Sequence, residues 1–363
     1  MIINLIQDIP TPHNNILIEK LSQRKDIKLK LWYAEKKNLS LYNWKENLAD
    51  KHLKSNIYGK NLNLSFIIKC LFTLNQKFIF VGWQNINTKI LYILFILFRK
   101  KFNHWTDLPN EKLLNKKKIF NKLIYLALKK SNAKILCVGR ITINFFLHKN
   151  FKKKKLLNLP ILFDRQKSII ENKKKKQISR FYLKERDFII SMGSRLEKIK
   201  GFDLALKALN LVLNKYNIKN IKIFLIGSGS EKKKLEKFII SNRLRKNVFL
   251  IDWMDYQDFV ELISISDLFL HPSRFDAYGS VNLSISQGTA TIASRNSGSA
   301  KELIKNNING ILYNPFDIRF LSEVIIKLYK SKITRNKFNN FSKLFSKKID
   351  IEFILNNLLK NII

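Results

Sequence analysis

The sequence predicts an α/β protein that consists of two doubly wound domains. Short apolar runs alternate with segments of helical periodicity through both halves of the chain, as in parallel sheets covered by helices. The 363 residues suffice for two domains of roughly 150–180 residues each. A basic, polar stretch at residues 165–186 separates the halves. This stretch has no Gly/Ser tract and indicates a linker with an exposed rim. We place the linker at residues 165–180.

The first half supplies one of these domains, which we place at residues 1–164. Strands are predicted at residues 2–6, 27–34, 78–81, 102–105 and 134–138. Helices are predicted at residues 16–21, 87–99 and 118–130. The extended stretch LLNLPILFD closes this half, whereas residues 35–60 are polar and show no assignable pattern.

The second half has the clearer alternation, and we place its domain at residues 181–340. Strands are predicted at residues 187–192, 221–226, 247–251, 268–270, 291–293 and 311–313. Helices are predicted at residues 202–213, 231–240, 256–264 and 317–331, with one more starting after the turn at Gly279. Residues 335–363 are helical in pattern, and we expect the segment 341–363 to pack back on the first domain.

The composition is strongly basic, with 68 Lys and Arg against 27 Asp and Glu and a net charge of +41. Such a charge favours an anionic partner, either a membrane surface or a substrate. The alternative is drift, because the joint enrichment in Lys, Asn, Ile and Phe is typical of an AT-rich coding sequence. No aromatic–basic interleaving of the kind found in RNA-binding modules is present, so we expect no nucleic-acid partner.

The sequence also shows no recognisable targeting signal and no metal-binding motif. The start MIINLIQDIP has no basic residues before an apolar run, unlike a signal peptide. The apolar run at residues 90–98 is too short to span a bilayer, which takes about 20 residues. Cys70 and Cys137 lie in apolar settings, and no His/Cys spacing resembles a metal site. We therefore expect a cytoplasmic protein without a metal, either soluble or peripheral at the inner face of the plasma membrane.

The stretch FLHPSRFDAYGSVNLSISQG, residues 269–288, is the strongest candidate for a ligand site. A strand ends at His271, a turn rich in Asp, Tyr and Gly follows, and a helix begins. Ligands of doubly wound folds bind at such carboxyl edges, and free N–H groups at a helix start favour phosphate. Gly279 would let the backbone approach a ligand, and Asp276 offers an acceptor for a hydroxyl. The alternative is an ordinary βα loop.

Two further loops are expected at the same edge of the sheet, at residues 193–201 and 227–230. The first carries Arg195 and Lys200, which suit a diphosphate through a fork of donors and a point charge. In so basic a chain two cations in one loop can also arise without a ligand. The second loop, with Gly227 and Gly229, lacks the full GxGxxG spacing and predicts a tight βα turn.

These motifs occur in a specific order: GSRLEKIKGFDLALKAL, FLIGSGSEKKKLEKF, NVFLIDW, ISDLFLHPSRFDAYG and QGTATIASRNSGSAKELIKNNINGILYNPFD. The series, at about residues 187–320, resembles the retaining GT-B glycosyltransferases of family 4 type, the group 1 glycosyltransferases. Weaker similarity lies in QDIPTPHNN, NHWTDLPN and the stretch from CVGR to LPILFD. The resemblance implies a GT-B fold, in which two Rossmann-like domains face each other across a cleft.

The resemblance implies transfer of a hexose from a nucleotide-sugar donor, with retention and without a metal or other cofactor. The acceptor would be a glycan or a lipid-linked sugar in bacterial surface polysaccharide synthesis. Arg195 and Lys200 match the cations that neutralise the donor diphosphate, where fixed charge stabilises the transition state more than the ground state. Asp276 matches the first carboxylate of the family's paired-Glu motif, which holds sugar hydroxyls.

Further residues are carried over as candidate contacts of the two substrates. On the donor side these are Gly193, Gly227, Tyr278, Gly279, Ser280, Ser284 and Glu302. On the acceptor side they are His104, Asp107 and His13. For His104 the alternative is a histidine that only caps the end of a strand.

The sequence departs from the family pattern at three points. Asp276 stands where the family usually has Glu, and the second Glu is expected eight positions later, at Ser284, or at Leu283 in an alternative alignment. Pro10 to Asn14 occupy a loop where a Gly pair is common. Two hypotheses therefore stay open, an enzyme that has a different ribose contact or weakened activity, and a non-catalytic relative that binds a glycan, a lipid or a partner enzyme.

Overall fold

The structure is a computed structural model that describes residues 1–35, 55–82, 85–109, 119–162, 181, 183–346 and 351–362, with the backbone alone for residues 12–13 and 119–121. The chain forms two compact units. The first combines residues 1–162 with residues 351–363, and the second comprises residues 163–350. Because the chain's last segment belongs to the first unit, this unit is built from both ends of the sequence.

The first unit is a parallel sheet with helices between its strands. Its elements are β1 (Ile2–Gln7), α1 (Pro12–Ser22), β2 (Lys28–Tyr33), β3 (Ser55–Ile57), α2 (Leu64–Phe72), β4 (Lys77–Val81), α3 (Ile86–Leu97), β5 (Asn103–Thr106), α4 (Ile119–Lys130), β6 (Lys134–Cys137), α5 (Gly139–His148) and β7 (Leu156–Asn158). The strand order is β3-β2-β1-β4-β5-β6-β7, and every pairing among the described strands is parallel. Apolar strands of this kind are buried on both faces, which explains their nearly continuous runs of Ile, Leu and Phe.

The second unit repeats this architecture. Its elements are β8 (Phe188–Gly193), α6 (Phe202–Lys215), β9 (Ile221–Ile226), α7 (Lys232–Ser241), β10 (Val248–Ile251), α8 (Tyr256–Ile265), β11 (Leu268–His271), α9 (Val281–Gln287), β12 (Thr291–Ser294), α10 (Gly298–Leu303), β13 (Gly310–Tyr313), α11 (Ile318–Lys330) and α12 (Lys332–Ser346). The last helix, α13 (Ile351–Ile362), belongs to the first unit. The strand order is β10-β9-β8-β11-β12-β13, again with parallel pairings. The prediction of two doubly wound domains is confirmed.

The strand order of the second unit contains a switch point between β8 and β11. From β8 the chain first runs outward through β9 and β10, then returns to the other side and continues through β11, β12 and β13. In register, Ile190 of β8 faces both Ile223 of β9 and Leu268 of β11. Loops that leave such a pair of strands diverge and leave a crevice at the carboxyl edge, the usual place for a ligand.

Some elements differ from the sequence prediction. The strand β3 and the helix α2 form where no element was assigned, and α5 begins directly at Gly139, at the predicted end of a strand. The helical pattern at residues 335–363 belongs to two separate helices, α12 and α13. The apolar run at residues 90–98 forms most of α3, whose Leu91, Tyr92 and Phe95 are buried. Among the described residues no helix combines the length and the apolar character needed to cross a membrane.

One lysine of the basic run at residues 152–155 is buried. Lys152, Lys153 and Lys154 are exposed, but Lys155 inserts its ammonium at the carboxyl end of α4. Its Nζ donates to the carbonyl oxygens of Leu128 at 2.7 Å and Lys129 at 3.2 Å, and also to that of Ser131. The last carbonyls of a helix have no partner within it and attract a cation. Burial lowers the pKa of Lys155 to about 8, so the amine is still mostly protonated at neutral pH.

We expect Lys155→Met to lower the stability of the protein by about 2 kcal/mol, because the carbonyls at the end of α4 lose charged donors. Lys154→Met is the matched control, since Lys154 lies on the same turn and is exposed. Thermal unfolding followed by circular dichroism measures both variants. Equal melting temperatures for the two variants would contradict this role of Lys155.

Candidate active site

The candidate site lies at the switch point, where the loop after β8 meets the loop after β11. The backbone N–H of Arg274 donates to the carbonyl of Ile199 at 2.9 Å, which ties the two loops together. Gly201 ends the first loop in the left-handed region, with a φ of +71°. A Cβ on Gly201 would lie 2.1 Å from the carbonyl oxygen of Pro272. Only glycine allows this contact, since it has no side chain and adopts positive φ without strain.

The loop after β9 reaches the same edge. The N–H of Ser194 donates to the carbonyl of Ile226 at 3.1 Å, and the N–H of Leu196 donates to that of Ser228 at 2.9 Å. A Cβ on Gly227 would lie 2.0 Å from the carbonyl oxygen of Ser194. The convergence of the three loops is confirmed, and Gly227 serves the close packing of two of them.

A largely buried ion pair joins the loop after β8 to the loop after β11. The Nζ of Lys200 lies 2.6 Å from Oδ2 of Asp276, and each side chain is only 12% exposed. The same oxygen lies 3.4 Å from Nε2 of His271, which is 3.2 Å from the hydroxyl of Ser273. A Cβ on Gly279 would lie 2.3 Å from the imidazole and 2.5 Å from the carboxylate. Any side chain at position 279 would therefore displace this cluster.

The charge state of Asp276 follows from its neighbours. Burial alone would raise the pKa of this carboxyl, but the hydrogen bond and charge of His271 and the ammonium of Lys200 hold its pKa well below the usual range. Asp276 is therefore ionised at neutral pH. A permanent carboxylate here can accept hydrogen bonds from a hydroxylated ligand while it fixes the position of Lys200.

A second ion pair holds the loop after β11 against α6. Arg274 donates from both terminal nitrogens to the two carboxylate oxygens of Asp203, each at 2.7 Å, and also to the carbonyl of Lys198 at 2.6 Å. The backbone carbonyl of Arg274 accepts from Nδ2 of Asn296 at 3.0 Å. This bidentate arrangement is geometrically specific, and it fixes the bend that presents Asp276. No pattern in the sequence marks Arg274 or His271 for a role in the site, although both flank the Pro272-Ser273 turn.

Arg195 differs from the other cations of the site. It is exposed on the loop after β8, and its guanidinium makes no hydrogen bond or ion pair within the described part of the chain. Its backbone is nevertheless fixed, because its carbonyl accepts from the N–H of Glu197 at 2.8 Å. Glu197 is itself bonded to the hydroxyl of Ser230 at 2.8 Å. The loop therefore presents a free cation on an ordered backbone.

The remaining donor-side residues differ in burial and in hydrogen bonding. Gly193 and Tyr278 are buried, Glu302 lies half-buried on α10, and the enclosed hydroxyl of Ser280 has no partner in the described chain. The burial of Ser284 contradicts the prediction that this residue contacts the donor. It is fully buried, and its hydroxyl donates to the carbonyl of Val281 at 2.9 Å and lies 2.8 Å from Oγ1 of Thr291. The side chain thus faces β12, so it bonds within the core.

The acceptor-side predictions concern the first unit. His104 is fully buried in β5, where Nδ1 is hydrogen-bonded to the hydroxyl of Tyr92. Burial lowers the pKa of His104 to about 3, so the imidazole is neutral. The prediction that His104 contacts the acceptor is therefore corrected, because its side chain is fully enclosed and lies against the ring of Tyr92. Asp107 is exposed after β5 and accepts from the N–H of Leu108, whereas the side chain of His13 lies outside the described residues.

We expect Asp276→Asn to destabilise the second unit by about 3 kcal/mol, because removal of one partner leaves a buried ammonium uncompensated. The difference from wild type should be complete above about pH 5 and shrink as the pH falls below 4, since the unfolded carboxyl titrates near 4 and the folded one lower still. Urea unfolding at several pH values measures this.

Asp252→Asn is the matched control for this substitution. Asp252 pairs with Lys232 at 2.7 Å, but its side chain is 67% exposed, and exposed pairs contribute about 0–1 kcal/mol. Equal losses for Asp276→Asn and Asp252→Asn, or a difference that does not change between pH 5 and pH 3, would refute the buried pair as the main stabilising contact.

Comparison with solved structures places the fold. The structure of Anabaena HepE in complex with UDP superimposes with a TM-score of 0.79 at 14% identity, over 99% of each chain. A glycosyltransferase from Rickettsia africae gives a TM-score of 0.75 at 16% identity, over 99% of this chain and 97% of that one. WaaG, a glycosyltransferase of lipopolysaccharide biosynthesis, gives 0.68 at 15% identity, over 97% and 96%. The fold is that of the GT-B glycosyltransferases.

Two curated relatives and one family model resemble this chain in sequence. Poly(glycerol-phosphate) alpha-glucosyltransferase of Bacillus subtilis is 30% identical over 40% of this chain, and an uncharacterised glycosyltransferase of Methanocaldococcus jannaschii is 26% identical over 69%. These matches span only 21% and 59% of the relatives' own lengths. The model of the family described as Glycosyl transferases group 1 matches residues 172–345, which include all three loops of the site. Residues 172–345, a little under half of the chain, therefore match the group 1 glycosyl transferases.

Proposed function

We propose that the protein is a retaining hexosyltransferase that uses a nucleotide-sugar donor and a glycan or lipid-linked acceptor. The observation that carries this proposal is the ion pair between Lys200 and Asp276, which joins two loops at the switch point of the second sheet. A cation and an acceptor are thereby fixed at the edge where ligands of this architecture bind.

The cations would serve the donor diphosphate. Cleavage of the bond between sugar and phosphate builds negative charge on the leaving group, and fixed cations stabilise that charge most when they need no reorganisation. Lys200 is held in place by Asp276 and keeps further N–H groups for a phosphate oxygen. Arg195 has no hydrogen-bond or ion-pair partner among the described residues and can offer its whole fork of donors. Asp276 would accept from a sugar hydroxyl through its second oxygen.

The relatives support the class of substrate. HepE was crystallised with UDP-glucose, and the similar curated proteins include a poly(glycerol-phosphate) glucosyltransferase and an O-antigen biosynthesis glycosyltransferase. We therefore assign the protein to cell-surface polysaccharide synthesis in a bacterium, with a uridine or guanosine diphosphate sugar as donor. Its acceptor would lie at the inner face of the plasma membrane, with the protein in the cytoplasm.

Arg195→Ala should lower kcat/KM for the nucleotide sugar by roughly 10²–10³-fold, the usual cost of removing one transition-state donor. The measurement is release of nucleoside diphosphate from UDP- and GDP-sugars in the presence of a membrane extract as acceptor. Arg245→Ala is the matched control, since Arg245 is also exposed and lies before β10, at the opposite edge of the sheet. Equal rates for wild type and Arg195→Ala would remove the assignment.

The environment of Ser284 favours one alternative to the hexosyltransferase, namely a non-catalytic protein that keeps the glycosyltransferase fold. The carboxylate expected eight residues after Asp276 is replaced by a hydroxyl that bonds to Thr291 in the core. The proposed enzyme should nevertheless bind free UDP or GDP, because the diphosphate contacts do not involve this position. Isothermal titration calorimetry of the folded protein separates the two. Heats of binding of UDP or GDP that vanish in Arg195→Ala support the enzyme. The absence of any heat of binding with both nucleotides supports the non-catalytic relative.

A further inference from the structure

The helix α2 is apolar on opposite sides. Phe66, Ile67 and Cys70 point into the core of the first unit. Leu64, Ile68 and Phe72, spaced by four residues, form a stripe on the outer side and are exposed. A helix that is hydrophobic all round is normally covered on both sides. The described residues of the first unit leave this outer stripe uncovered.

The stripe continues onto neighbouring segments. Leu74 follows α2, and Leu97 and Phe98 end α3, which packs beside α2. Phe72, Leu74 and Phe98 line one open groove of about 560 Å³. We call these six side chains the α2 face, and each is between 54% and 79% exposed: Leu64, Ile68, Phe72, Leu74, Leu97 and Phe98. Monomeric proteins rarely leave contiguous apolar surface of this kind without a partner.

The charge around the α2 face has one sign. Residues 55–106 contain seven Lys and Arg and no Asp or Glu. Lys69 lies on α2 itself, while Arg99 and Lys101 follow Phe98 directly, and all three are exposed. Arg99 and Lys101 have no hydrogen-bond or ion-pair partner within the described residues. Of the seven cations, Lys60 is paired with Glu35 at 2.7 Å, whereas Arg99 and Lys101 adjoin the apolar side chain of Phe98 without a carboxylate partner among the described residues.

We propose that the α2 face docks on an anionic lipid bilayer. Exposed Phe and Leu beside Lys and Arg are the composition of surfaces that insert apolar groups at the headgroup boundary and attract anionic lipids. Protein–protein interfaces are depleted in Lys, so this composition fits a bilayer better than a second protein. The inference concerns where the protein is held and does not require that it transfer a sugar.

Co-sedimentation with vesicles tests the proposal. The wild-type protein should bind vesicles of phosphatidylcholine and phosphatidylglycerol, and bind pure phosphatidylcholine more weakly, with a loss of binding as salt is raised. The triple variant Phe72→Ser/Leu74→Ser/Phe98→Ser should lower the partition coefficient by at least about tenfold. These side chains are exposed, so the thermal unfolding of the variant should match that of wild type.

The control variant is Phe316→Ser/Ile333→Ser/Phe353→Ser, which removes the same number of apolar side chains, each at least 60% exposed, from other surfaces. It should bind as wild type does. Equal binding by the wild type and the α2-face variant, or equal losses in both variants, would show that net charge or general hydrophobicity governs binding and would overturn the proposal.

Oligomeric state separates the bilayer from a second copy of the chain. The wild type should be monomeric by light scattering after gel filtration. If the wild type is a dimer and the α2-face variant is a monomer, the surface serves self-association and the proposal of bilayer docking is overturned. Arg99→Glu/Lys101→Glu should abolish the preference for phosphatidylglycerol, and a retained preference would contradict the assigned role of these cations.

Discussion

The contact between Lys200 and Asp276 is the constraint on which the candidate site depends. Two charges removed from water must meet at close range, so the loops that carry them have only one compatible arrangement. Gly201 lets one loop turn beneath the other, and Gly279 leaves room for the carboxylate. The clamp from Arg274 to Asp203 then stiffens the bend. Contacts within the chain thus fix the charged groups of the site, as a preorganised electrostatic environment requires.

Much of the second unit could be predicted because its signals are local. Buried parallel strands appear as uninterrupted apolar runs, and glycines mark the turns that follow them. The chain order of such strands implies a common edge, so the convergence of the loops bearing Arg195, Gly227 and Asp276 followed from spacing alone. The resemblance to a family supplied the candidate roles of those residues, which pattern and composition do not define.

Other features depend on contacts that are distant in sequence. The helix α2 has apolar residues on both sides and so lacks the periodicity that identifies an amphipathic helix. The burial of Lys155 follows from the end of α4, more than twenty residues earlier, and that of His104 from Tyr92 on another element. His271 acts on Asp276 only because the bend returns to the strand. No local pattern encodes such pairs.

The hydrogen bond between Ser284 and Thr291 also limits which side chains position 284 accepts. A glutamate there would bring a charge into a fully enclosed space and would break the bond to β12. An acidic side chain at position 284 is therefore compatible with the fold only if Thr291 or its surroundings change as well. The two positions are thus coupled through the core.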